Sequence, residues 1–293
     1  MTNKHRATKK NPLHRRHPLR VAALALCAAA VATTFAPATT AAPRGNVVTF
    51  GDSFTANPDQ VKNTLRMIPG ITNGYPQTGG CLQAPNNWPR KVGEKTGLPV
   101  NDWSCAGNTS RSMLGRIDSA IHSGDVNSET RSVVFAVGMN NYGGFGILDG
   151  VNIFDPGAIR DAYLSDMRAA AAKIRSAAPY AKIVVSGALP TVDRDTTFFC
   201  AVNVIPNMPG GAPIPLLRDV ENWNRENQKE AARQVGGEYV EIIDGARGHD
   251  TCAPDTARYV AGVVDTTTPN YNMIFHPSDA GSEFVARTLA TRV

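Results

Sequence analysis

Five short runs of β-branched and aromatic residues mark the chain, and each runs into a turn that contains glycine. Val47-Val48-Thr49-Phe50 leads to Gly51-Asp52-Ser53, a pattern that reads as a buried strand ending in a tight turn that presents a serine. Leu98–Trp103 alternates like a second strand and meets Ser104-Cys105-Ala106-Gly107-Asn108. Arg131–Val137 is apolar enough for a strand covered on both faces and ends at Gly138-Met139-Asn140-Asn141. Ala181–Ser186 and Glu238–Ile243 complete the set.

Helical spacing fills the intervals. Trp88–Thr96 stops at Gly97, and Met113, Leu114, Ile117 and Ile121 share one face of the next helix. Asp155-Pro156 is a capping acid followed by proline at the first helical position, with Ile159, Tyr163, Met167, Ala170 and Ile174 on one stripe. Further helices are predicted over Leu217–Val235 and Asp279–Ala290. Strands alternating with helices predict an α/β chain with one five-stranded parallel sheet covered on both faces, and no internal repeat or linker interrupts it. Ala56–Asn87 and Leu189–Leu216, rich in proline and glycine, are expected to be long surface excursions.

The first 41 residues change the picture of charge. Met1–Arg20 carries seven Lys or Arg and no acid, Val21–Phe35 is apolar, and small residues follow to Ala41. This is the pattern of a secretory signal peptide over residues 1–41, which leaves residues 42–293 as one domain. Arg15-Arg16 leaves twin-arginine export open, although Pro18 stands where an aromatic or leucine is usual. The whole chain carries a formal +5. Without the leader, 23 cations face 25 acids, net −2, so no basic surface argues for nucleic acid or anionic membrane as a partner. No stretch is long and apolar enough for a stable membrane anchor.

Cys27 falls within the leader, and Cys81, Cys105, Cys200 and Cys252 remain. Four cysteines in an exported chain imply two disulfides with three possible pairings. The nearest-neighbour pairs, Cys81–Cys105 and Cys200–Cys252, are expected. Their spacing is not that of a zinc site, and no metal or cofactor is expected.

Gly-Asp-Ser is also ordinary turn chemistry, so Ser53 gains meaning only from its partners. A serine nucleophile needs a base and donors where an oxyanion forms. Beyond the leader only His122, His249 and His276 can supply the base. His122 ends a helix, and His249 lies in a loop beside Asp244 and Asp250. His276 precedes Pro277 and the last helix, in a loop that a doubly wound sheet returns to the carboxyl edge of its strands. Gly107 and the Gly138–Asn140 turn each follow a strand and so face the same crevice as Ser53. The Gly-x-Ser-x-Gly elbow of the α/β-hydrolase fold surrounds no serine here.

Gly51-Asp52-Ser53 after the first strand, Gly107 after the second, Gly138-x-Asn140 after the third and the late His276-Pro277 resemble the SGNH (GDSL) hydrolase superfamily, and exported actinobacterial esterases and lipases most of all. The resemblance implies a flavodoxin-like three-layer α/β/α sandwich. It implies Ser53 as nucleophile, with the Ser53 and Gly107 N–H groups and the Asn140 amide as the oxyanion hole, and His276 as general base. Two positions depart from the pattern. Asn141 replaces the acid that usually follows the asparagine, and Met273 stands three residues before the histidine, where the orienting acid is usual. A main-chain carbonyl at or near Met273 is therefore expected to orient His276 in a Ser–His dyad, with Asp265 or Asp279 as the alternatives.

The expected activity is hydrolysis of carboxylic esters, lipid or small-molecule, by a secreted or cell-envelope monomer. The alternatives are an envelope acyltransferase using the same acyl-enzyme and a non-catalytic binding homologue.

Overall fold

The computed structural model describes residues 45–293, and the expected leader lies outside them. The central sheet is built from β1 (Val47–Gly51), β2 (Val100–Asp102), β3 (Ser132–Ala136), β4 (Lys182–Ser186) and β5 (Glu238–Val240). The order is β2-β1-β3-β4-β5 and every pairing is parallel. That is the flavodoxin-like order, whose switch point falls between β1 and β3, where Phe50 pairs with Phe135 and Gly51 with Ala136.

Five long helices cover both faces: α1 (Trp88–Thr96), α2 (Ser110–His122), α3 (Pro156–Ala177), α4 (Pro215–Gln234) and α5 (Asp279–Ala290). The strand period of two sorts the side chains between two cores. Val48, Phe50, Val133, Phe135, Ile183 and Val185 pack with Met113, Ile117, Met167, Ile174 and Ala231 of α2, α3 and α4. Val47, Val134, Val184 and Val240 point the other way, onto Trp88 and Val92 of α1 and Val285 and Leu289 of α5. Burial on both faces explains why these strands read as nearly continuous apolar runs.

Local chemistry sets the helix ends as the sequence suggests. Asn87 caps α1 through Arg90 N–H, Gly97 ends it in a left-handed conformation, and Asp155 accepts the N–H groups of Gly157 and Ala158 at the start of α3. Two disulfides join Cys81 to Cys105 and Cys200 to Cys252. They anchor the two long excursions to the fold.

Neither excursion is irregular throughout. The first holds a short helix, Gln60–Thr64, and a two-residue strand pair. The second is a β-hairpin, Phe198–Asn203 paired with Gly210–Pro213, and Val264–Asp265 adds a third strand in parallel with Phe198–Asn203. Prolines on either side of the hairpin and Thr197 in the left-handed region hide it from a search for alternating strands.

Candidate active site

The carboxyl ends of β1, β2 and β3 are stitched together by main-chain and asparagine hydrogen bonds. Asp52 N–H donates to the Ala136 carbonyl at the end of β3. The Gly51 carbonyl, two residues before Ser53, accepts from Cys105 N–H and from Asn108 Nδ2. Asn140 Nδ2 in turn donates to the Asn108 carbonyl at 2.8 Å. Three loops that are far apart in sequence are thereby fixed around one serine.

Ser53 is the first residue of a single helical turn, Ser53–Ala56, where backbone N–H groups have no carbonyl four residues back. Asp52 caps the turn, its carboxylate accepting Phe54 N–H at 2.9 Å. Burial pushes the Asp52 carboxyl up to about 7, against the opposing effect of that hydrogen bond. Asp52 also lines a cavity of about 30 Å³ behind the serine, with Phe54, Met139, Asn224 and Pro277 on its walls, a space sufficient for a water molecule or two.

The expected oxyanion donors lie on the two neighbouring loops. Gly107 holds φ +86°, and a Cβ there would stand 2.8 Å from the Phe145 ring, so a side chain at this position would be strained and would displace that ring. Gly138 holds φ +141°, and a Cβ would meet Asn224 Oδ1 at 2.0 Å. Asn140 spends one amide hydrogen on Asn108, which fixes the plane of the amide and leaves its second hydrogen for another acceptor.

Asn141 explains one departure from the family pattern. Its Oδ1 accepts Ser110 N–H at 3.1 Å and its Nδ2 donates to Ser110 Oγ at 2.8 Å. Ser110 Oγ passes its own proton to Asp166, which also pairs with Arg111 at 2.9 Å. An acid at 141 would leave two buried carboxylates competing for one hydroxyl proton. Asn141→Asp is expected to lower stability by about 1–3 kcal/mol at neutral pH, with the loss shrinking as acid protonates the new carboxyl. Urea unfolding at two pH values checks this.

His276 sits on the loop before α5. Its Nδ1 lies 2.8 Å from the Ile274 carbonyl, and its Nε2 is buried without a hydrogen-bond partner. A carbonyl can only accept, so Nδ1 carries the proton and Nε2 keeps a free lone pair. Burial pushes the imidazole down to about 4, partly offset by the Ile274 carbonyl. The loop is held against the serine turn on two sides. Phe54, next to Ser53, packs on the imidazole with ring centres 4.9 Å apart, and Asn57 Nδ2 donates to the Pro277 carbonyl at 2.9 Å.

The carbonyl at Nδ1 is thus that of Ile274, one residue after Met273. Phe275 adopts φ +57°, and a left-handed residue between carbonyl and imidazole turns the Ile274 oxygen back toward the ring, while the Met273 side chain is buried. Neither alternative acid contacts the imidazole. Asp265 accepts from Gly262, Thr267 and Thr268 and lies 3.6 Å from the buried Arg258. Asp279 pairs with Lys91 at 2.9 Å. His249 binds the Ala257 carbonyl and stacks on Tyr259, and His122 is exposed at the end of α2.

A family model described as "GDSL-like Lipase/Acylhydrolase family" matches residues 49–284. The chain belongs to that family. It is a serine ester hydrolase by that membership. Solved structures share the fold at low identity. A phospholipase A1 from Streptomyces albidoflavus NA297 is 17% identical, covering 85% of this chain and 99% of its own, with a TM-score of 0.57. An extracellular lipase from Streptomyces rimosus is 19% identical over 85% and 100%, TM-score 0.54. A catalytic mutant of an acetylxylan esterase from Geobacillus stearothermophilus is 14% identical over 84% and 94%, TM-score 0.51. No curated protein sequence matches the chain.

Reading the sequence alone misses Asn57 and Asn108, which tie the loops together. Asn57 lies four residues after Ser53 and Asn108 one after Gly107, and nothing local separates them from ordinary turn residues.

Proposed function

We propose that the protein is an exported carboxylic-ester hydrolase that acts on lipid or acylated-carbohydrate esters through an acyl-enzyme on Ser53. His276 Nε2 takes the Ser53 hydroxyl proton as Oγ bonds to the ester carbonyl carbon. The resulting oxyanion is met by the Ser53 and Gly107 N–H groups and the free Asn140 amide hydrogen, and each such donor contributes about 3 kcal/mol to the transition state. The imidazolium returns its proton to the leaving alcohol as the C–O bond breaks. Water then attacks the acyl-enzyme, giving its proton to His276, and the carboxylic acid departs with Oγ reprotonated.

The observation that carries this reading is the His276 geometry: a carbonyl on Nδ1, a bare and buried Nε2, and the ring of Phe54, the neighbour of Ser53, packed on the imidazole. The two disulfides suit an oxidising compartment, which supports export. Among the described residues no helix is long and apolar enough to cross a membrane.

A series of p-nitrophenyl esters from acetate to palmitate tests the reading. Wild type is expected to release nitrophenol and free acid across part of the series, with no release above background from Ser53→Ala. Hydrolysis that persists in Ser53→Ala would overturn the assignment. Acyl transfer to an added alcohol in place of free acid would overturn water as the acceptor.

A further inference from the structure

Large hydrophobic side chains exposed to solvent are distributed unevenly over this molecule. Among the described residues, all but Tyr180 and Trp223 lie between the end of a central strand and the first turn of the next long helix. In a parallel sheet these segments leave the same edge, the one that holds Ser53. The densest group is the hairpin Phe198–Asn203/Gly210–Pro213 and its parallel neighbour. Ile205, Met208 and Leu216 are 54, 66 and 64% exposed, and Val202, Val204, Val263 and Val264 are exposed beside them.

The hairpin is also without charge. From Thr197 to Leu217 no Asp, Glu, Lys or Arg occurs, where a chain with 19% charged residues would place about four in 21 positions. The outer strand Gly210–Pro213 is exposed along its whole length. An exposed, uncharged, apolar surface of this size marks a contact with something apolar. It adjoins the site directly: Phe199 packs edge-on against Phe275, the neighbour of His276, at 5.2 Å, and Phe275 N–H donates to the Gly262 carbonyl.

We propose that this hairpin docks the enzyme on a lipid surface, with Ile205 and Met208 entering the acyl region and Ser53 facing the layer. The inference rests on the ester-hydrolase reading for its biological sense. Prolines argue against a strand-forming peptide or a second copy as the occupant. Pro209, Pro213 and Pro215 remove N–H donors along the outer edge, which is how sheet edges are kept from pairing. A tightly seated protein would roof the serine, whereas a lipid layer can deliver esters to it. Because the hairpin carries no charged residue and the Asp255 carboxylate that accepts Asn207 N–H is paired with buried Arg258, docking should depend neither on anionic headgroups nor on ionic strength.

Flotation of the Ser53→Ala protein, which spares the lipid, with phosphatidylcholine vesicles tests this. The protein is expected to float, equally well at low and high salt and without added phosphatidylglycerol. Ile205→Asp and Met208→Asp are each expected to weaken partitioning about tenfold or more, and Leu216→Asp serves as an independent variant if either fails to melt cooperatively. Tyr180→Asp, on the far edge, should float as before. A protein that stays in the pellet fraction, binding that appears only with phosphatidylglycerol or vanishes in salt, or hairpin variants that float normally would overturn the proposal. Turnover of the acetate-to-palmitate p-nitrophenyl series by wild type, measured without vesicles, separates the two readings. Turnover without flotation overturns docking alone, and flotation without turnover overturns hydrolysis alone.

Discussion

Ser53→Ala is expected to lower kcat for a soluble p-nitrophenyl ester by about 10⁴ to 10⁶-fold while leaving the fold intact. In the proposed Ser–His mechanism, removing the nucleophile abolishes the covalent route, and only binding and oxyanion stabilisation remain. The same Oγ takes no part in core packing: Ser53 is partly exposed on the first position of its turn, and the capping bond is made by Asp52. The stability change should stay within about 0.5 kcal/mol, as for other surface substitutions. Kinetics and urea unfolding on the same preparation separate the two effects. A fall in kcat of only tenfold would mean that another group attacks the ester.

His276→Ala is expected to cost about 10⁴-fold or more in kcat/KM, for a different reason. The serine remains, but nothing removes its proton, so the residual rate should rise with hydroxide concentration. With His276 as the proposed base, kcat/KM requires neutral Nε2, and burial holds the imidazole near 4, well below its usual 6.5. Activity should therefore persist through pH 5 and fall only as His276 protonates near 4. Asp52, pushed up to about 7, is the other titrating group in this loop cluster, and an acid limb that survives Asp52→Asn belongs to His276. Burial of the imidazole also bears on stability. As pH falls from 6.5 toward 4, the unfolded chain takes up a proton at this residue before the folded one does, so stability declines over that window. Asp265→Asn and Asp279→Asn should leave the shape of the pH–rate profile unchanged, because neither carboxylate touches the imidazole. A collapse of turnover in Asp279→Asn, whose partner is Lys91, would indicate an acid-assisted triad instead.

Much of this architecture is legible in the sequence because period and burial agree. Val133-Val134-Phe135 and Ile183-Val184-Val185 read as strands covered on both sides, and they are. α1 ends at Gly97 and α3 begins behind Asp155, as the sequence indicates. What stayed hidden was set by contacts between distant segments. The Phe198–Asn203 hairpin depends on Val264 and on Cys252, neither of which a local window includes. A carbonyl at or near Met273 was readable as the partner of His276, but its position at Ile274 was not, since the left-handed turn at Phe275 is a tertiary demand on a residue that seldom adopts it. The strand-end order of Ser53, Gly107, Asn140 and His276 was readable. The asparagines that lock those loops together were not.

The central claim is that Ser53 is a nucleophile activated by His276. It is tested most directly by treating the protein with a p-nitrophenyl organophosphorus ester and locating the adduct by peptide mass spectrometry. The expected result is one label per chain, on Ser53, with loss of esterase activity in step with labelling and very slow labelling of His276→Ala. A folded, hydrolytically active protein that carries no label on Ser53 would contradict it.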